Sequence, residues 1–380
     1  MCSSDLDYVG QLHATLYLAP WYRALGARIG RFVELSTAST TTPDLLEIGD
    51  GGTVADEASL GDARVEGGWM TVAPTRLGRR VFIGNSAVVP AGSTLGDGTL
   101  LGVLSIAPAD PRQAARPGAS WLGSPPILLK RRQPSRPFPE SRTYTPARWL
   151  RFARGLFEIL RVTLPPAGFI AVATAVIRAA LEILPRAGAA ATLALVPIVY
   201  ALACFVVLGL VALAKWTIMG RFRPFERPLW NAFIWRLELA NSLYEFLATP
   251  LALDALLGTP FLPWYLRLLG ARIGRRAYLH TTGFLEFDLT EIGDGAELNK
   301  DCVMQTHLFE DRVLKASKVR IGAGCTVGTA SVVLYDSEMR DGARLDALSL
   351  LLKGEVLPAE SAWAGLPASW QGEVRAKHVA

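Results

Sequence analysis

The sequence predicts a mixed fold: two hexapeptide β-helix domains separated by a transmembrane helical hairpin and an amphipathic helix. Three observations predict it. One block of sequence occurs twice, aliphatic residues recur at every sixth position within each copy, and a long uncharged run lies between the copies. Composition agrees: of 380 residues 51% are hydrophobic and 19% charged, with mean hydropathy +0.28, so there is more apolar surface than a soluble core requires. The 35 Gly and 24 Pro call for many turns, which a bare bundle of membrane helices does not need.

The duplication is read from three blocks in the same order. Pro20-Trp21-Tyr22 with Leu25-Gly26-Ala27-Arg28-Ile29-Gly30 returns as Pro263-Trp264-Tyr265 with Leu269-Gly270-Ala271-Arg272-Ile273-Gly274. Glu47-Ile48-Gly49-Asp50-Gly51 returns as Glu291-Ile292-Gly293-Asp294-Gly295, and Trp121-Leu122-Gly123 as Trp363-Ala364-Gly365. All three are offset by 242 to 244 residues, so the chain contains two copies of one unit.

Each copy has a shorter period. Ile48, Val54 and Leu60 are six apart, as are Leu77, Ile83, Val89, Leu95 and Leu101. In the second copy Ile292, Leu298 and Met304 precede Ile321, Val327, Val333, Met339, Leu345, Leu351 and Leu357. A step of six fits neither the helical period nor a long alternating strand. It fits a solenoid whose short strands each point one aliphatic residue into a triangular core. Gly49, Gly78, Gly84, Gly293 and Gly322, each just after an aliphatic, are read as easing the turns.

Between the copies, Ala187 to Ala214 is an uncharged run of 28 residues, enough for a spanning helix of about 20. Val162 to Ile177 is uncharged over 16 residues and spans with help from Leu181 to Leu184 and snorkelling by Arg178, with a kink at Pro165-Pro166. Pro185-Arg186-Ala187-Gly188 makes the tight turn between them. Basic residues crowd both ends of this pair (Lys130 to Arg161 before it, Lys215 to Arg236 after), whereas Arg178 and Arg186 stand at the tip. Both β-helix domains are therefore expected on the cytoplasmic face of the inner membrane.

From Leu229 to Leu251, Trp230, Phe233, Ile234, Leu237, Tyr244, Leu247, Ala248 and Leu251 recur at helical spacing. That amphipathic helix is expected to lie in the membrane interface, with packing on a β-helix domain as the alternative. The expected division is 1–19, remnant of a preceding helical segment, with 1–6 an artefact resembling a translated sequencing adapter in a truncated chain. Then come 20–127, the first β-helix domain; 128–152, a basic linker; 153–217, the hairpin; 218–259, the amphipathic interfacial helix; 260–372, the second β-helix domain; and 373–380, a tail.

The net charge of +5 comes from membrane-flanking Lys and Arg without aromatic-interleaved basic stripes, so no nucleic-acid partner is expected. Cys2, Cys204, Cys302 and Cys325 have no paired spacing, which supports neither disulfides nor a metal site, and Cys302 and Cys325 read as packing residues. No P-loop, GxSxG elbow or dinucleotide fingerprint is present, so the chain has nothing with which to activate a substrate by ATP, and no residues for binding a cofactor can be named.

One polar cluster interrupts the hexapeptides. Between Met304 and Ile321 the stretch Gln305-Thr306-His307-Leu308-Phe309-Glu310-Asp311-Arg312 is thrown out as a loop. His307 can accept a proton near neutral pH, and Glu310 or Asp311 is close enough in sequence to orient its imidazole, so these three are the candidate catalytic residues. Counting back 244 from His307 gives Ala63, and Asp62 to Met70 contains no His, so the first copy lacks this base. His13 and His280 have no polar neighbours in sequence.

The six-residue period resembles the hexapeptide-repeat acyltransferases. That resemblance implies left-handed β-helices, a loop histidine as general base, and a phosphopantetheine thioester lying between adjacent prisms. The Pro-Trp-Tyr block, the Leu-Gly-Ala-Arg-Ile-Gly block, the loop Gln305 to Arg312 and the interleaved hairpin resemble, more narrowly, the C-terminal region of epsilon-poly-L-lysine synthetase-type non-ribosomal peptide synthetases.

In that family adenylation and carrier domains precede tandem acyltransferase-like domains with membrane helices. The resemblance implies an amide-forming acyltransferase at a membrane, with adenylation and carrier domains as partners, an amine acceptor, and a thioester on a carrier protein or coenzyme A as co-substrate. The alternatives are a coenzyme A-dependent acyltransferase acting on an envelope precursor, and a non-catalytic membrane scaffold for the synthetase. Tethering raises the effective concentration of one prism for the other, so the first copy is expected to pack beside the second and wall its cleft, with a pseudo-trimer as a further possibility of assembly.

Overall fold

The computed structural model describes residues 12–36, 38–39, 42–130 and 138–374. The expected artefact at 1–6, residues 131–137 of the linker and 375–380 of the tail lie outside them.

The hexapeptide pattern folds into two stacks of short parallel strands, each with three sheets. The first stack has sheets of four, six and three strands, the second of five, six and three. Aliphatic residues pair with aliphatic residues one coil on: Ile48 opposes Leu77, Ile292 opposes Ile321, and Ile321 opposes Met339. Each six-spaced aliphatic points inward, and none is more than 4% exposed. Burial of one such side chain per strand, about 1.5–3 kcal/mol each, is what offsets the entropy of ordering so many two-residue strands.

The glycines after the aliphatics have a different role from the one expected. The left-handed turn residues stand three positions after the aliphatic, as at Gly51, Glu57, Arg80, Ser86 and Gly98. Gly49 and Gly322 are instead required by close approach: a Cβ on Gly49 would lie 2.7 Å from the Arg79 nitrogen, and one on Gly322 2.7 Å from that of Asp341, both on the next coil. Steric contact between coils, rather than turn conformation, selects glycine there.

The duplication is visible atom by atom. Helices α1 (Leu18–Ala24) and α4 (Phe261–Leu269) each precede a stack. The Arg23 guanidinium donates to the carbonyl oxygens of Ile29 and Gly30 at 2.9 and 2.6 Å, and Arg267 does the same to Ile273 and Gly274 at 2.9 and 2.7 Å.

Between the stacks runs α2 (Arg148–Ile218), 71 residues that contain Pro165, Pro166, Pro185 and Pro197. Its one non-helical residue is Gly188, at φ 80°, ψ 174°. The helix folds back there. A Cβ on Gly168 would touch Leu247 at 2.8 Å, while the Tyr200 hydroxyl donates to the Leu251 carbonyl at 2.7 Å. Leu247 and Leu251 are one helical turn apart, but Gly168 and Tyr200 would be about 48 Å apart on a straight helix. An 18-residue window of α2 has mean hydropathy 2.7, long and apolar enough to cross a membrane.

The segment expected as an amphipathic helix comprises α3 (Ala232–Leu243), a π-helical turn over Tyr244–Ala248 and a final turn at Thr249–Leu251. Its apolar residues face protein: Ile234 and Leu237 pack with Leu289 and Leu314, and Leu247 and Ala248 join the core of the second stack. These side chains are covered by the second stack and by α2, whose Val172, Cys204 and Val207 share the cluster of Leu247 and Ala248.

Candidate active site between the two strand stacks

The loop thrown out after Met304 is a small antiparallel sheet. Strand β1 (Phe225–Pro228) pairs with β3 (Val313–Ala316), which pairs with β2 (His307–Glu310). The turn from β2 to β3 is Asp311-Arg312, both with positive φ (50° and 64°), the two-residue geometry that matches the twist of a hairpin. Alternation along β2 then puts His307 and Phe309 on one face and Leu308 and Glu310 on the other.

His307 is held by Glu286. Its Nδ1 lies 2.9 Å from each carboxylate oxygen, and Glu286, fully buried, also accepts the Thr306 hydroxyl at 2.5 Å. Burial alone would lower the imidazole pKa, but the Glu286 carboxylate outweighs it, with help from Asp56 and Glu245, and holds His307 above its ordinary value. Burial likewise pushes Glu286 up, and the His307 charge and hydrogen bonds reverse that and hold its carboxyl below the usual range. With 14% of its side chain exposed, His307 still reaches the cleft.

Glu310 does not orient the imidazole, because alternation sends it to the opposite face, where it accepts from Lys315 at 2.8 Å and from Lys353. Those two ammonium groups hold its carboxyl below the usual range in spite of burial. Asp311 occupies the first left-handed position of the turn and is not among the residues lining the His307 cavity. Cys204, Cys302 and Cys325 are free and buried, and burial pushes the Cys302 thiol up to about 12, which suits packing rather than nucleophilic attack. Among the described residues no group of three His, Cys, Asp or Glu could hold a metal ion.

His307 opens onto a cavity of about 120 Å³ walled by both copies and the helices between them. The first copy supplies Glu34, Asp56 and Asn85, the segment preceding it His13, and the later helical segment Glu238 and Glu245. A second cavity, of about 280 Å³, lies on the far side of β2 among Phe82, Val103, Leu122, Leu334 and Leu352. Asn85, Leu308 and Phe309 line both. The stacks are fastened side by side here: Val103 of the first clusters with Leu308, Leu334 and Leu350 of the second, and Arg312 enters the first stack.

Three site residues were not read from the sequence. Glu286 stands in an earlier break in the hexapeptide series, between Leu279 and Ile292, and that break was its only signal. His13, without polar neighbours in sequence, lies 3.1 Å from Asp56, and Glu245 lies among the apolar residues whose spacing marks the Leu229 to Leu251 helix.

Paired hexapeptide solenoids with a carboxylate-held histidine in the cleft between them define a hexapeptide-repeat protein. No family model matches the chain. Over 368 residues, 96% of its length, it is 41% identical to Delta-poly-L-ornithine synthetase of Acinetobacter baumannii (strain AB307-0294), a poly-amino-acid synthetase, in line with the resemblance read from its motifs. It spans 27% of that relative's length.

Among solved structures, a serine O-acetyltransferase from Brucella melitensis is 14% identical, over 59% of this chain and 75% of that one, with TM-score 0.28. A galactoside acetyltransferase in complex with coenzyme A is 13% identical, over 30% and 70%, with TM-score 0.26.

Proposed function

We propose that the chain is a membrane-anchored acyltransferase module that forms amide bonds from carrier-bound aminoacyl thioesters, as the terminal part of a non-ribosomal peptide synthetase. One observation carries the reading: His307, held by Glu286, opens onto a polar cavity suited to an amine, and its own strand β2 divides that cavity from an apolar one suited to a thioester arm, with Asn85, Leu308 and Phe309 lining both. Glu286 accepts a hydrogen bond from Nδ1–H, which fixes the tautomer and leaves Nε2 as the base. As the amine nitrogen adds to the thioester carbonyl, Nε2 takes its proton. The C–N bond forms, the C–S bond breaks, and the departing thiolate of the phosphopantetheine arm takes that proton from His307. In this reading the Asn85 amide, which lines both cavities, donates to the oxyanion. A thioester is already activated, so proximity, a base and an oxyanion donor suffice.

In this reading residues 20–127 and 260–372 are left-handed β-helix domains. The hairpin within 153–217 spans the inner membrane and leaves both domains cytoplasmic. The outward-facing Leu193 (80% exposed) and Phe205 (76%) support the span, and the basic residues at both ends support the orientation. Adenylation and carrier domains are the partners, and a third prism completes a pseudo-trimer.

The test incubates membranes carrying the protein with aminoacyl-carrier thioester or with acyl-coenzyme A, and follows amide formation. Carrier-dependent product that falls about a hundredfold or more in His307→Ala supports the proposal. Turnover of coenzyme A thioester alone favours an envelope-modifying acyltransferase, and product unaffected by His307→Ala leaves only a scaffold role.

A further inference from the structure

Helix α4 (Phe261–Leu269) is apolar on two opposite sides. Leu262, Leu266 and Leu269 are fully buried in the core shared by the second stack and α2, and Tyr265 nearly so. On the other side Phe261, Trp264 and Leu268, spaced three and four apart, are 53%, 61% and 56% exposed. The rings of Phe261 and Trp264 meet edge to face there, 5.5 Å apart. The one charged residue of the helix, Arg267, spends its guanidinium on the Ile273 and Gly274 carbonyl oxygens. A helix that is apolar all round calls for apolar surroundings on every side, which water does not supply.

What lies beside the exposed face indicates what covers it. The Trp216 indole of α2 donates to the Leu268 carbonyl oxygen at 2.9 Å, and the Tyr265 hydroxyl to that of Leu208 at 3.1 Å. Helix α4 is therefore fastened to the last turns of α2, where Leu210 and Leu213 also point outward. Lys215, in those same turns, is buried in an ion pair with Asp288 of the second stack at 2.7 Å, so its ammonium group is held by protein. Aromatic side chains, here Trp216 and Trp264, are what a membrane–water interface favours beside the end of a spanning helix.

The duplication repeats the arrangement. Trp21 of α1, 243 positions before Trp264, and Leu25 just after the helix are exposed. Tyr17, just before it, donates its hydroxyl to the Gly155 carbonyl oxygen on the first arm of α2 at 2.8 Å, and Trp149, Phe152 and Leu156 point outward from that arm.

We propose that α4, with α1 as its counterpart, is a lipid-contacting foot: the face of Phe261, Trp264 and Leu268, and Trp21 in the first copy, lie in the cytoplasmic interface of the bilayer. The inference rests on the spanning-hairpin reading above and adds the surface by which the stacks themselves meet lipid. A protein cover would have to seat on α4 and on the adjoining outward face of α2 at once, whereas a bilayer around α2 reaches α4 by continuity. Arg154 and Arg161, which line the His307 cavity, stand within two turns of Gly155, so the feet also hold the cleft close to the lipid surface.

The experiment reconstitutes the full chain, carrying Cys2→Ser, in vesicles of phosphatidylcholine and phosphatidylglycerol; its other cysteines are buried. A bimane label is placed by Trp264→Cys, by Leu268→Cys or, in the last strand of the second stack, by Trp370→Cys, all at exposed positions. Quenching by a phosphatidylcholine spin-labelled near the headgroup end of its acyl chain is expected to be about threefold or more stronger at the first two positions than at the third, and quenching by aqueous iodide weaker in the same measure. Trp21→Cys is expected to behave as Trp264→Cys, and agreement between two positions on α4 guards against a local defect in either variant. Iodide quenching as strong on α4 as at the Trp370 position overturns the feet. Shielding of α4 from both quenchers overturns them too, because a second copy or another protein then covers the face. Release of the wild type from the vesicles by alkaline carbonate overturns the spanning hairpin and the feet with it, whereas a retained chain with water-exposed labels overturns the feet alone.

Discussion

The Arg312 guanidinium of the second repeat donates to the Gly52 carbonyl oxygen of the first, 2.9 Å away, and to that of Phe32 at 2.5 Å. The hairpin that carries His307 is therefore fastened to the opposite wall of its own cleft. The first copy has an equivalent hairpin, Arg64–Glu66 and Trp69–Thr71, whose turn Gly67-Gly68 falls 244 positions before Asp311-Arg312. Where Arg312 reaches across, Gly68 has no side chain, and Trp69 beside it is 80% exposed. One duplicated hairpin has become a clasp and the other has not.

Arg312 is 1% exposed and faces Glu34, so its loss leaves a buried carboxylate with one cation fewer. Arg312→Ala is expected to destabilise the protein by about 3 kcal/mol, and Arg312→Met, which fills the volume, by less. Thermal unfolding in detergent checks the order of the two. Equal stability of both variants and wild type would mean that the clasp contributes nothing.

Replacing Glu286 by Gln tests the dyad through pH. His307 acts as a base only when neutral, and Glu286 holds its pKa above the ordinary value. In Glu286→Gln the attraction is lost while burial remains, so the imidazole pKa falls. The rising acidic limb of the kcat–pH profile then moves to lower pH, and the plateau drops by roughly tenfold or more as orientation and basicity are lost. A limb that stays in place in the variant would detach Glu286 from His307.

The solenoid was legible because its period is repeated and local: Ile48, Leu77 or Val327 needs no distant partner to announce that it points inward. His307 was legible because it breaks that period. Its partner was not, since Glu286 lies 21 residues earlier and reaches Nδ1 only because Thr306 and the strand at Val303–Gln305 bring the two breaks together. Glu310 misled for the converse reason: nearness in sequence counts for little on a strand, where alternate residues face opposite ways. His13 and Glu245 carry no local signal at all, as their shared cavity is made by the packing of two repeats and a helix.

Two glycines separate close approach from turn conformation. Gly49→Ala places a methyl group 2.7 Å from the backbone of the next coil, whereas Gly295, at φ 65°, has open space around it. Gly49→Ala is expected to cost about 2–3 kcal/mol by overpacking. Gly295→Ala carries only the strain of a left-handed residue, about 1 kcal/mol. Denaturant unfolding of the two variants checks the order, and a costlier Gly295→Ala would show that turn conformation governs both.

Glu310 offers a contrasting pH test, because its carboxyl is held below the usual range by Lys315 and Lys353. A carboxyl with a depressed folded pKa stabilises the fold above its unfolded pKa and loses that contribution as pH falls through the folded value. Glu310→Gln is therefore expected to lower stability at neutral pH by on the order of 1–2 kcal/mol, the scale of hydrogen bonds to a charged group. The difference from wild type should shrink as pH falls through and below the ordinary carboxylate range. Because Glu310 faces the apolar cavity and not His307, the same variant should keep the acidic limb of kcat where wild type has it, while KM for the thioester donor rises. A limb displaced as far as in Glu286→Gln would return Glu310 to the imidazole and overturn the division of roles between the two faces of β2.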